Sequence, residues 1–171
     1  MLFRFQWPVI QSFRSIIKTK KRRTMKTGKI LLARPNSFIV KHMKRLIEES
    51  GNIPVPITKT TELEGVNESE LNAIVISTSV SSVVEEGYFE VFQIVKEKFP
   101  HVPVFLASLT EVNSVKRAFS QNAKTKGLTL QSVNEADNSP SKESVVVIRK
   151  GDLIDQDLFQ KTLNVMSKKV A

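Results

Sequence analysis

No cysteine occurs anywhere in the 171 residues. Disulfide staples, thiolate metal ligands and cysteine nucleophiles are therefore excluded, and a reducing, cytoplasmic setting suits the chain. Only two histidines are present, His42 and His101, and their separation is not a metal-ligand spacing. No apolar run reaches the roughly 18 residues that a membrane-spanning helix needs. The longest uncharged stretch, Leu71–Val84, is short and rich in serine and threonine. There is no G-x-G-x-x-G after the first apolar run and no Walker loop; Gly28 stands alone before it. No Ser/His/Asp set can be assembled, and Glu85 and Glu86 suit the start of a helix better than acid–base work. The sequence therefore reads as non-enzymatic, with no cofactor and no metal expected.

Acidic residues are also missing from the first 47 positions; the first is Glu48. Residues 1–24 hold Arg4, Arg14, Lys18, Lys20, Lys21, Arg22 and Arg23 and supply +7 of the net charge of +9, so the rest of the chain is nearly neutral. Phe3, Phe5, Trp7, Phe13, Ile16 and Ile17 are interleaved with these cations. Three readings of this segment stand side by side. It lies on an anionic membrane, where about 1 kcal/mol per basic residue sets an upper limit of roughly 7 kcal/mol. It contacts nucleic acid. Or residues 1–27 are a disordered leader, or are not native because translation starts at Met25, directly before KTGKILLARPN. A cleaved secretory signal does not fit, because the basic block Lys18, Lys20, Lys21, Arg22, Arg23 follows the apolar part.

What the chain does contain is an alternation of two periodicities. Lys29–Ala33 (KILLA) is a short apolar run that reads as a buried strand, and Asn36 or Ser37 can cap a helix with Ile39, Met43, Leu46 and Ile47 on one face and Gly51 at its end. Ile53–Thr58 carries Pro54 and Pro56, which restrict it to a sheet edge. A weak helix is expected over Glu62–Glu70, a buried strand over Ala73–Ser77, and a helix through Tyr88, Val91, Phe92, Val95 and Phe99 that Pro100 ends. Val102–Ala107 reads as a fourth strand, Val112, Val115 and Phe119 as a helix face, and Ser144–Ile148 as a fifth strand. Leu158, Phe159, Thr162, Val165 and Met166 line a last helix. Residues 122–143, rich in Asn, Ser, Lys and Asp, form an insertion with a short extra strand at Leu128–Val133. The fold class is α/β, a three-layer doubly wound sheet of five parallel strands within one domain over residues 28–168.

The step KILLARPNSF, the phrase NAIVIS, the segment VPVFLASL and the segment VVIRKGDL together resemble the response-regulator receiver family, a flavodoxin-like fold. The resemblance implies strand order 2-1-3-4-5, which puts the proline-bearing second strand at an edge. It also implies a role in signal transduction by two-component systems. Family members hold Mg²⁺ with an acidic pair after strand one and accept a phosphoryl group on an aspartate that ends strand three. Here the acidic-pair positions fall on Arg34 and Pro35, or on Ala33 and Arg34 in the neighbouring register, and the phosphoacceptor position falls on Ser77. No carboxylate is offered to a hard cation, and a serine lacks the anionic oxygen that would bind one. Ser108 matches the family's hydroxyl switch residue. Lys150 matches its lysine after strand five, although Gly151 replaces the usual proline. Each has a plainer reading too, Ser108 as a turn residue and Lys150 as a solvated lysine.

The resemblance implies a degenerate pseudo-receiver, an interaction module for a protein partner that is not phosphorylated by the aspartyl route. A second expectation is an anion or small-ligand sensor at the carboxyl edge of the sheet, with Arg34, Ser77, Ser108 and Lys150 lining it. A third is nucleic-acid or membrane association through residues 1–24. Seven phosphate contacts from that segment would give a log–log salt slope of roughly −6. Equal binding by residues 1–171 and 25–171 in a salt titration would remove the segment from consideration.

Overall fold

The computed structural model describes residues 27–79, 86–122, 125, 127–138 and 144–170. The basic patch of Lys18, Lys20, Lys21, Arg22 and Arg23, the residue Glu85 and part of the 122–143 insertion lie outside the described residues. Six parallel strands form the middle layer: β1 Lys29–Ala33, β2 Ile53–Ile57, β3 Leu71–Ser77, β4 Val104–Ser108, β5 Thr129–Ser132 and β6 Ser144–Arg149, in the order β2-β1-β3-β4-β6-β5. The helices are α1 Ser37–Glu49, α2 Tyr88–Lys98, α3 Val112–Gln121, α4 Val133–Asn138, α5 Lys150–Ile154 and α6 Gln156–Val170. No helix among the described residues is long and apolar enough to cross a membrane.

Alternation along each strand builds two cores, because successive side chains point to opposite faces. Leu31, Ile74, Ile76, Leu106 and Val147 face one side with Phe92 and Val95 of α2 and Phe119 of α3. Ile30, Leu32, Val75, Phe105 and Ile148 face the other with Met43 and Leu46 of α1 and Phe159 and Met166 of α6. Four residues of α1 foreseen as its apolar face, Ile39, Met43, Leu46 and Ile47, are all buried. The helix ends at Gly51, whose φ of +79° suits a residue without Cβ, and the Asn52 N–H donates back to the Ile47 carbonyl at 3.1 Å.

Three features differ from the sequence reading. The sheet has six strands, since the short segment in the insertion pairs outside β6 through Thr129↔Ser144 to Ser132↔Val147. The β6 residues Val145–Ile148 are buried on both faces and need a neighbour on each side, whereas Thr129, Leu130, Gln131 and Ser132 tolerate an edge. The weak helix of Glu62–Glu70 is two 3₁₀ turns, Thr60–Gly65 and Glu68–Glu70. Gly65 and Asn67 interrupt it, and the Asn67 side chain accepts from the Ser69 N–H instead. The short helices α4 and α5 were not legible as separate elements; each is too brief to show a 3.6-residue period.

Strand β2 sits at the sheet edge, paired with β1 alone, as Pro54 and Pro56 require. A parallel ladder uses alternate residues of a strand, so prolines two apart both turn their nitrogens away from β1. Replacing both with threonine restores outward N–H groups beside the exposed Ile53. The expected outcome is concentration-dependent self-association in sedimentation velocity; a double variant that stays monomeric at every concentration would show that the prolines do not guard this edge.

Candidate functional site

The carboxyl ends of the strands lie along one edge, and the chain leaves them toward opposite faces. From β1 it passes to α1 on one face, and from β3 to α2 on the other; β4 and β6 diverge in the same way toward α3 and α5. Such divergence opens crevices between neighbouring strands, the places where open α/β sheets bind ligands.

The first crevice brings Arg34 and Ser77 together. Arg34 follows β1 with φ +53°, in the left-handed region that L-residues seldom adopt, and only 4% of it is exposed. Its Nη1 donates to the Ser77 carbonyl oxygen at 3.0 Å, tying the end of β1 to the end of β3. The Arg34 Nε is enclosed without a hydrogen-bond acceptor. Desolvation lowers the Arg34 pKa, while the nearby Tyr88 and Glu86 oppose that shift. Glu86 itself accepts a hydrogen bond from Thr60 Oγ1 at 2.5 Å, which holds its carboxyl below the usual range. Burial raises the Tyr88 pKa, with Arg34 acting against it. Pro35, half-buried, helps to line a cavity of about 10 Å³ beside Ser77 on the α1 face, about the size of one water. The Ser77 hydroxyl accepts from the Ser79 N–H at 3.2 Å, and Asn36 Nδ2 donates to Ser79 Oγ at 3.1 Å.

Ser108 is fully buried at the end of β4, and its hydroxyl is engaged locally, accepting from the Thr110 N–H at 3.0 Å and bonding Thr110 Oγ1 at 3.0 Å. Lys150 opens α5 after β6, half-buried. Strands β3 and β4 stand between its strand and β1, so its backbone lies roughly 14 Å from that of Arg34 at about 4.8 Å per strand. The sheet thus unites Arg34 with Ser77, and spreads Ser108 and Lys150 along the same edge.

The second crevice is built around residues that the sequence did not single out. Arg149 ends β6, with Nη1 on Glu111 Oε2 at 2.9 Å and Nη2 on Asp152 Oδ1 at 3.1 Å, while Asp152 Oδ2 accepts the Arg149 N–H at 2.8 Å. Asp152 and Glu111 hold the guanidinium pKa above its ordinary value. Lys116 of α3 reaches Glu135 of α4 at 2.9 Å and 3.0 Å, and Glu135 also accepts the Ser132 N–H at 2.6 Å. These groups line an open polar cleft of about 230 Å³. Ser132-x-x-Glu135 is a capping-box pattern and was the available signal for this part; Arg149 carried none. Among the described residues no three His, Asp or Glu side chains converge as metal ligands. His42 is half-buried on α1, and His101 is exposed before β4.

No protein-family model and no curated protein matches this chain. Solved structures do. A response regulator receiver domain protein from Clostridium thermocellum superposes with a TM-score of 0.51 at 16% identity, over 83% of this chain and 96% of that one. A sensor protein from a Polaromonas species gives 0.54 at 12% identity, over 85% and 100%. A response regulator receiver protein from Sinorhizobium medicae gives 0.53 at 10% identity, over 86% and 100%. The fold is that of a response-regulator receiver domain. Within this receiver fold, β5 and α4 form a unit added beyond the expected five strands, and the second crevice lies where that unit meets β6.

The Ser132 N–H and Lys116 hold the Glu135 carboxyl at about 2. A depressed folded-state pKa stabilises above the ordinary carboxylate pKa of about 4.3 and is lost as pH falls toward 2. Glu135 is half exposed, so Glu135→Gln is expected to cost about 1 kcal/mol or less at pH 7. In urea titrations the gap from wild type should close below about pH 4.3; an equal gap at pH 7 and pH 3 would show that the negative charge contributes nothing.

Proposed function

We propose that this receiver-fold domain is a non-catalytic pseudo-receiver, acting through contacts with a protein partner in signal transduction and not phosphorylated on aspartate. One observation carries the reading: the buried guanidinium of Arg34 lies at the carboxyl edge between β1 and β3, bonded to Ser77. The receiver resemblance puts a divalent ion, its acidic ligands and the phosphoacceptor at this edge. A fixed positive charge there repels Mg²⁺, and neither Pro35 nor Ser77 offers an anionic oxygen to hold it. Without the metal, the charge that develops on a transferring phosphoryl group is not neutralised.

The rest of the edge is consistent with this. Ser108 spends its hydroxyl on Thr110, and Lys150 starts α5 well away from Arg34. Receivers commonly present the face formed by their fourth helix, fifth strand and fifth helix. The elements at those places here are α3, β6 and α6, and β5 with α4 covers the side of β6 that would otherwise be the sheet edge. A partner would meet a surface that this added unit reshapes, controlled by something other than aspartyl phosphate. A reducing cytoplasm, where two-component signalling operates, suits a chain without cysteine.

Incubation with acetyl phosphate and Mg²⁺ should leave the intact mass unchanged. A gain of one phosphoryl group, mapped by peptide mass spectrometry to this domain, would sink the reading.

A further inference from the structure

Among the described residues, Arg34 is a buried charged side chain whose requirements the fold leaves unmet. A guanidinium is permanently charged and carries five N–H donors, and burying it with a single neutral acceptor is costly. Arg34 is 96% buried by its 4% exposure, donates to one carbonyl, and has an enclosed Nε with no acceptor. Among the described residues no carboxylate forms an ion pair with it. Glu86 acts on it only across space, while its own oxygen is held by Thr60. The residue also carries a φ of +53°, so two unfavourable terms meet at one position of the β1/β3 crevice. Such coincidence marks a position retained for something other than stability. The second crevice offers a contrast: Arg149 and Lys116 each already have carboxylate partners, and nothing there calls for an ion.

We propose that Arg34 anchors a binding site for a small phosphate-class oxyanion in the crevice between β1 and β3, with Tyr88 beside it. With Nη1 engaged by Ser77, the unanswered Nε edge is the side of the guanidinium left to grip two oxygens, once the side chains that enclose it move aside. A tetrahedral anion keeps further oxygens for the Tyr88 hydroxyl, a donor at neutral pH. The nearby Glu86 carboxylate accepts from Thr60 and forms no ion pair with Arg34. Glu86 is a like charge that the ligand must outcompete. Glu86 and Tyr88 are half-buried side chains, so exchange needs rotamer changes of these two.

The test is calorimetric titration of the full chain at constant ionic strength, with inorganic phosphate, glycerol phosphate, acetate and chloride in parallel. One saturable site for inorganic phosphate, weaker acetate binding and no chloride effect are expected; tighter glycerol phosphate would assign the site to a phosphorylated small molecule. Arg34→Met should weaken binding about tenfold or more, and Glu86→Gln should tighten it severalfold by removing the repulsion. Absence of saturable phosphate binding, acetate as tight as phosphate, or undiminished binding by Arg34→Met would overturn the assignment, the last by pointing to the basic amino-terminal segment. Should Arg34→Met fail to fold, Glu86→Gln decides, and unchanged phosphate affinity in that variant would overturn it equally.

Discussion

The central strands have helices on both sides, and almost everything else follows from that burial. Ile74, Val75 and Ile76 of β3 are each at most 2% exposed although they point alternately to opposite faces. A strand in that position has to be apolar throughout, and its polar groups have to be satisfied by the ladder itself. Strands that cannot meet the demand go to the margins: β2 carries two prolines, and β5 carries Thr129, Gln131 and Ser132. The order of the sheet is therefore a ranking of how much burial each segment tolerates. Because helices leave the carboxyl ends toward alternate faces, the same constraint opens the crevices in which charged residues gather.

Charge is handled in two ways along that edge. Around Arg149, both Arg149 and Lys116 meet carboxylates, and Glu111, Asp152, Lys116 and Glu135 fasten the ends of β5 and β6 to α3, α4 and α5. These contacts are partly exposed, and their value lies more in orientation than in energy. At Arg34 the guanidinium is taken out of water with one carbonyl for company, on a strained backbone. The first arrangement is complete in itself. The second is not, and it occupies the place where the receiver resemblance would set a cluster of acids around a metal.

Much of the fold was legible because it rests on periodicity. KILLA, AIVIS and SVVVI are short unbroken apolar runs that only a doubly covered strand accommodates, and α1 showed its buried stripe at helical spacing. The two 3₁₀ turns after β2 read as one weak helix and the short helices α4 and α5 were missed, since three to six residues do not display a period. Arg34 and Ser77 stood out in the sequence only through the receiver resemblance, the one directly after the first strand and the other ending the third. The grouping of Thr60, Glu86 and Tyr88 was not legible: they come from two separate stretches, and Tyr88 reads equally well as a core residue.

By itself, then, the order of residues determined the parallel α/β class, the edge position of β2 and the lack of carboxylates after β1, because composition and alternation act locally along the chain. Tertiary structure alone decided that β5 lies outside β6, that Lys150 stands apart from Arg34, and that one guanidinium is buried with its Nε unanswered. Those outcomes depend on which strand ends become neighbours, and such neighbours are fixed by packing across the sheet, over separations along the chain that no local pattern records.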